Sequence, residues 1–356
     1  MREHKPIASL SLDLDNQWSY MKTHGDAGWQ SFPSYLDVVV PRVLNFLKER
    51  NDLAITFFIV GQDAALDKNR EALAQLSVAA GGRHEIGNHS FNHEPWLHLY
   101  TRAEIRDEII KAEEAIERVT SRRTRGFRGP GYSLSPDVLS VLAERDYKYD
   151  ASTFPTFLGP LARAYYFMTA RLEREQRQER KALFGKLSDG LRPLKTYRWQ
   201  VNERSLTEIP VTTMPVFKMP VHVSYLLYLS GRRAATERIA RHYFNFAMRL
   251  CELTGTAPSL LLHPLDFLGF EDMKGSGELS FFPGMNIPRD RKLETVGHIL
   301  ESYTRRFNVR TLAQHAQQAA QDSKLPARAH TSLGDASQTA PKVEHRAGEA
   351  SNASHR

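Results

Sequence analysis

The chain has 356 residues, 41% of them hydrophobic and 25% charged, and a formal net charge of +7. That size allows one large domain or two small ones, and the composition excludes a collagen, a coiled coil or a wholly disordered chain. The single cysteine, Cys251, excludes an internal disulfide, and no run of about 18 uncharged apolar residues marks a membrane-spanning helix.

Residues 7–15, IASLSLDLD, alternate and end in acid, as a strand does at a functional edge. Ser34 is placed to cap a helix over YLDVVVPRVLNFLKER, with Pro41 a candidate kink. AITFFIVG (54–61) is a β-rich run closed by glycine, and DKNREALAQLSVAAGG is a helix with a glycine stop. RHEIGNHS is short and strand-like. Thr101 with Glu104 forms a capping pair for the helix over 101–121. TRGFRGPGYS follows, then a helix with Pro136 in its first turn, then the strand YKYDAST. Strand and helix thus alternate through the first part of the chain, which predicts a parallel sheet or barrel with active groups at the carboxyl ends of its strands.

Residues 154–207 break this rhythm and predict an arginine-rich helical insertion, either a lid or a surface for an amphiphilic partner, or a solvated helix packed on the barrel. TEIPVTT resumes the alternation. A helix over AATERIARHYFNFAMRLCEL, the strand PSLLLHPLDF, a further helix and NVRTLAQHAQQ complete a domain of residues 1–324. Cys251 lies in the first of these helices and is expected to be a buried structural thiol. Residues 325–356, rich in Ala, Ser, His, Pro and charge, predict a disordered tail. The charged N-terminus lacks a secretion-signal pattern, so a cytoplasmic location is expected. Zinc-finger, RNP and basic-zipper patterns are absent, so no nucleic-acid partner is expected.

Asp13 and Asp15 are two residues apart, so strand alternation puts both carboxylates on one face. Either the pair points into water or a cation sits nearby. His89 and His93, spaced i and i+4, project from one face of a helical turn and suit a single metal. Two histidines and one carboxylate leave coordination positions open for water, the layout of a catalytic site. Asp15 is the candidate ligand. Asp13 is then free to act as a general base.

The order Asp-x-Asp, FFIVG (57–61), HSFNH (89–93), FRGPG (127–131) and LLLHP (260–264) resembles the polysaccharide deacetylase family, the NodB-homology enzymes of carbohydrate esterase family 4. The resemblance spans roughly residues 7 to 312. It implies a distorted (β/α) barrel, often of seven parallel strands, and one divalent ion, usually Zn2+. It implies Asp13 as base, Asp15, His89 and His93 as metal ligands, Arg128 as the group orienting Asp13, and His263 as the acid that protonates the leaving amine. The third motif implies an oxyanion contact from the Gly131 N–H, with Tyr132 next to it. The spaced aspartates resemble an intracellular branch with peptidoglycan-deacetylase-like and allantoinase-like members. Glu208 and Asp150 are both candidates for the acidic partner of His263. His222 lies in a stretch, 219–230, that predicts either a substrate-channel wall or a core segment.

The function expected on this resemblance is removal of N-acetyl groups from an amino sugar of a polysaccharide or its precursor. Carbohydrate or a lipid-linked sugar is the expected substrate, with peripheral membrane contact through Tyr165, Tyr166, Phe167 and the arginines of the insertion. An allantoinase-like amidohydrolase acting on a small cyclic amide or imide is the alternative. A binding protein with a decayed site and an anionic-surface binder using the basic tail carry less weight, because all the key positions are filled.

Overall fold

The computed structural model describes residues 5–158, 190–231, 234–273, 279, 282 and 284–333. The strands are β1 (Ile7–Asp13), β2 (Thr56–Ile59), β3 (Glu85–Asn88), β4 (Gly126–Phe127), β5 (Tyr149–Asp150), β6 (Tyr197–Val201), β7 (Arg204–Glu208), β8 (Thr213–Met214), β9 (Met219–Pro220), β10 (Ser259–Leu262), β11 (Asn308–Arg310) and β12 (Ala327–Ala329). The helices are α1 (Gln17–His24), α2 (Leu36–Lys48), α3 (Gly61–Ala65), α4 (Arg70–Gly82), α5 (Arg102–Thr120), α6 (Pro136–Glu144), α7 (Val223–Ser230), α8 (Ala234–Thr254), α9 (Arg289–Arg306) and α10 (Leu312–Ala320).

Local chemistry explains most boundaries. Thr101 and Glu104 close a capping box on α5, and Ser135 caps α6 just before Pro136. Ser34 Oγ accepts from the Leu36 N–H at the start of α2, and that helix continues through Pro41. Near the end of α4 the chain leaves helical geometry at Ala79, Ala80 and Gly81.

The sheet path β10-β1-β2-β3-β4-β5-β7 is parallel at every step, which gives the seven parallel strands implied by the resemblance. The ring is distorted where β7 should meet β10. No ladder is formed there; instead the Thr212 N–H donates to the Ser259 carbonyl at 3.0 Å, and the Ser259 N–H donates to Thr212 Oγ. On β1, Leu10 and Leu12 pack outward into the main hydrophobic cluster with residues of α2, α8 and α9. Each fully buried leucine of that kind contributes roughly 1.5–3 kcal/mol. The other face of β1 carries Ser9, Ser11 and Asp13, all buried, so small polar side chains leave room inside the barrel. Helix α10 closes the end where the strands begin. Its Leu312 and Ala313 N–H groups donate to Thr56 Oγ1 and Glu85 Oε2, at the starts of β2 and β3. Leu312 and Ala316 pack with Phe58 and Tyr149. The open end is therefore the one where the strands finish.

Two expected boundaries are corrected. Residues 197–208, read as part of a helical insertion, form the β6–β7 antiparallel hairpin and join the sheet. The Tyr197 and Trp199 rings are buried in a second hydrophobic cluster, and alternate burial along YRWQV is the strand pattern that the arginine-rich surroundings obscured. Residues 327–329, read as disordered tail, pair in parallel with β6. Tyr165, Tyr166, Phe167 and their membrane contact, like the tail from 334 on, lie outside the described residues. Cys251 is buried, and burial pushes its thiol up to about 12, as befits a structural cysteine.

Candidate metal centre and active site

The expected site residues sit where strands end. Asp13 is the last residue of β1, and His89, Arg128 and His263 each follow the last residue of β3, β4 and β10. The register sets Leu12 beside Leu262, so Asp13 and His263 leave neighbouring strands at the same height. Parallel strands with their helices outside deliver such residues to one rim.

Arg128 is wholly buried and reaches back across the barrel. Its Nη1 donates to Asp13 Oδ1 at 2.7 Å and to Ser11 Oγ at 2.7 Å, and its Nε donates to the Ala151 carbonyl at 2.9 Å. Its guanidinium also lies 4.6 Å from the Phe58 ring centre. The cation beside Asp13 is therefore this arginine, at ion-pair distance, rather than only a metal next door.

Asp15 has a separate set of partners. Its Oδ1 is 3.0 Å from His93 Nε2 and 3.3 Å from His89 Nε2, and the ligand atoms of the three residues all lie within 4.8 Å of one another. Burial favours the neutral acid, but the charges and hydrogen bonds of the two histidines overcome it and hold Asp15 well below the usual carboxylate range. Burial likewise disfavours a His89 cation, yet Asp13 and Asp15 raise its pKa above the ordinary value. These residues fit a divalent ion. A tetrahedral ion with arms of about 2.0–2.1 Å needs ligand atoms roughly 3.3 Å apart, close to the two distances from Asp15. His89 Nδ1 lies 2.6 Å from the Arg128 carbonyl, which fixes the proton there and leaves Nε2 for coordination.

The two histidines are not presented by a helical turn. Residues 89–93 form an irregular loop in which Ser90 and His93 take positive φ (61° and 51°). Side chains outside the loop fix it. Asn88 Oδ1 accepts from the Ser90 N–H, and Glu108 Oε2 on α5 accepts from the Phe91 and Asn92 N–H groups at 3.1 and 2.9 Å. Neither Glu108 nor Asn88 was singled out in the sequence, since nothing local marks a helix carboxylate as the anchor of a loop seventeen residues earlier.

The other side of the rim is aromatic. The His263 and His222 rings stack at 4.9 Å with an interplanar angle of 22°. Tyr225 lies 4.9 Å and Phe154 6.5 Å from His222, and Phe154 lies 4.9 Å from Tyr132. His222 is buried, and burial together with the His263 ring pushes its pKa well down. Gly131 has φ 57°, and a Cβ there would meet Pro95 Cβ at 3.1 Å, so the third-motif turn packs against the loop that carries His93. Tyr132, also at positive φ (62°), follows in the same turn.

Neither expected acidic partner of His263 is beside it. Asp150 and Glu208 end adjacent strands in register and face each other. Glu208 accepts from Thr153 and Trp199, and Asp150 accepts from Ser152, whose Oγ in turn accepts from the Gly129 N–H. Burial raises both carboxyls, most strongly Glu208, so the pair shares a proton. Asp266 is the acid near His263. Its Oδ2 accepts from the His263 N–H at 2.8 Å, and its Oδ1 accepts from Ser224 Oγ. The HPLD spacing, a residue and an acid three later at a helical start, was the available signal.

Residues 24–149 match the family profile described as polysaccharide deacetylase. His89, His93, Arg128, Gly131 and Tyr132 fall inside that stretch; Asp13, Asp15, His222 and His263 fall outside it. The uncharacterized protein YlxY of Bacillus subtilis (strain 168) is 31% identical over 111 residues, 31% of this chain and 31% of that protein. A peptidoglycan-N-acetylglucosamine deacetylase of Bacillus cereus is 31% identical over 107 residues, 30% of this chain and 36% of that protein. The chain thus spans about a third of the length of these curated relatives. The crystal structure of a Mycobacterium smegmatis protein assigned to the polysaccharide deacetylases aligns with 92% of this chain and 94% of its own, at 19% identity and a TM-score of 0.59. That likeness concerns the fold.

Proposed function

We propose that this member of the polysaccharide deacetylase family is a metal-dependent hydrolase that removes N-acetyl groups from an amino sugar of a polysaccharide or its precursor. One observation carries the reading: Asp15, His89 and His93 are buried with converging ligand atoms on the rim where Arg128 holds Asp13. The Bacillus cereus relative, named for a peptidoglycan amino sugar, supports the substrate class.

Asp15, His89 and His93 would hold a divalent ion, most simply Zn2+, which would supply Lewis acidity at the acetyl carbonyl and lower the pKa of a water. Asp13 accepts the water proton as its oxygen attacks the carbonyl carbon. Arg128 sits at ion-pair distance from Asp13 and fixes the direction of its carboxylate. The Gly131 N–H, on the turn beside Pro95, is the donor assigned to the developing oxyanion. His263 gives a proton to the amine nitrogen as the C–N bond breaks, since an amide anion is a very poor leaving group. Acetate and a free amino sugar result. Tyr132, Phe154 and His222 present ring faces that exclude water and seat the sugar.

The test is acetate release by the zinc-loaded protein from N-acetylglucosamine oligomers and from lipid-linked and nucleotide-linked N-acetyl sugars, with allantoin alongside and Asp13→Asn as control. Metal-dependent acetate release that the substitution abolishes supports the reading. Opening of allantoin without acetate release would replace it with the small-amide alternative.

A further inference from the structure

One unexplained feature of the surface is apolar and lies next to the aromatic side of the rim. The β8–β9 hairpin tip exposes Val216 (74%), Phe217 (57%) and Met219. Val216 is β-branched and has φ 72°, a conformation that such residues rarely adopt. Helix α7 exposes Tyr225, Tyr228 and Leu229. Helix α8 buries Ala240, Phe244, Ala247, Met248 and Cys251 on one side. On its opposite side Ile239, Phe246 and Leu253 recur every seven residues, all exposed, with Leu253 at 82%. The Phe217 and Phe246 rings are 6.5 Å apart, and Tyr243 Oη donates to the Pro220 carbonyl, so hairpin and helix form one surface. Single exposed apolar residues are ordinary, but exposed apolar side chains gathered on joined elements mark an interaction site.

The charges around the face identify the partner. Exposed Arg238, Arg241 and Arg249 project from α8, and none of them is in an ion pair among the described residues. Glu252 is neutralised by Arg306 at 3.0 Å, and Glu237 by Arg291 at 2.8 Å. Two copies of such a face would bring like charges together. An anionic lipid surface instead pairs the arginines with headgroups and takes the aromatic and aliphatic side chains into the interface.

We propose that the β8–β9 hairpin and the outer faces of α7 and α8 dock the protein on an anionic membrane surface. Tyr225 links this face to the rim, through His222 to His263, so the site opens where the protein meets lipid. The consequence for the substrate, an amino sugar presented on a lipid carrier, rests on the hydrolase reading; the docking itself does not.

The experiment is co-sedimentation of the full chain with phosphatidylcholine vesicles with and without phosphatidylglycerol. Binding to the anionic vesicles, weakened by salt and lowered about tenfold or more in a Phe217→Ser/Phe246→Ser double variant, is the expected result. Arg238→Gln/Arg249→Gln should lower anionic binding and reduce its salt dependence. Circular dichroism melts should match the parent, because all four side chains are at the surface. A protein that stays in the supernatant, or a serine variant that binds equally, overturns the proposal. So does a dimer in light scattering that the serine pair dissociates. Vesicle binding without hydrolysis of any N-acetyl sugar would leave the docking standing and remove the hydrolase reading.

Discussion

The two sides of the rim are built on different principles. On one side Asp13, Asp15, His89, His93 and Arg128 form a dense polar set, each carboxylate given its own cationic or imidazole partners. On the other, His222 and His263 stack among aromatic rings. The first side is wired and the second is packed. A wired group has its position and charge set by hydrogen bonds that cannot be removed singly without leaving a buried charge. A packed imidazole has its plane set by its neighbours.

Loss of a wired group should therefore cost most. His93→Ala removes one of the three proposed metal ligands; activity should fall to background, and zinc stoichiometry measured by atomic absorption should fall with it. Zinc retained at full stoichiometry would sink the ligand assignment. Asp13→Asn keeps the shape and removes the proposed base, for an expected loss of about 10²–10⁴-fold in kcat with metal content unchanged. Arg128→Met leaves a buried aspartate unpaired, which costs about 3–5 kcal/mol of stability. Its Tm should fall, and it should recover in Arg128→Met/Asp13→Asn. A double variant no more stable than the single one would show that the ion pair is not what holds this side together.

The packed side should respond more gently. His263→Gln removes the proposed acid and should lower kcat by about 10²–10³-fold, while a substrate with a better leaving group, such as an aryl acetate, should lose far less. Asp266→Asn keeps an acceptor for the His263 N–H but removes a charge, and an effect of about tenfold is expected. Equal losses for Asp13→Asn and Asp266→Asn would erase the distinction between the two sides.

The wired side was also the legible one. A carboxylate at a strand end, two histidines after another and an arginine after a third can be read in order, because parallel strands bring their ends together whatever lies between them. What could not be read was how each group is held. The helical spacing of His89 and His93 is realised by an irregular loop that Glu108 fixes from a distant helix. The choice of Glu208 and Asp150 for the acidic partner failed for a related reason. Both end strands at the correct height, but strand register turns them towards each other, and Asp266 reaches the His263 backbone from a short local turn. The β6–β7 hairpin was hidden because alternate burial over a few residues is a weaker signal than the helix-forming arginines and glutamates before it.

A last effect, read in the pH dependence of stability rather than in rate, lies beneath the wired side and tests how far its charges reach. Asp63 is buried under the loop that carries Asp15, and its Oδ1 accepts from Asn16 Nδ2 at 2.7 Å and Trp18 Nε1 at 2.9 Å. Burial, with the Asp15 charge adding to it and the Asn16 and Trp18 bonds opposing it, raises its carboxyl to about 7. The unfolded chain releases this proton near pH 4. Between those values the native state holds one more proton than the unfolded state, so this group makes stability fall as pH rises, by up to about 1.4 kcal/mol per pH unit. Asp63→Asn keeps the acceptor oxygen and removes the titration. Measured as the difference from the parent in urea unfolding, the variant should be near neutral at pH 4 and progressively more stable than the parent up to about pH 7, with the gain levelling off above it. A flat difference would mean that Asp63 is ionised in the native protein and that a cation reaches it. A difference of opposite slope would mean that the Asn16 and Trp18 bonds outweigh burial, and that the loop is held by an aspartate anion rather than by a neutral acid.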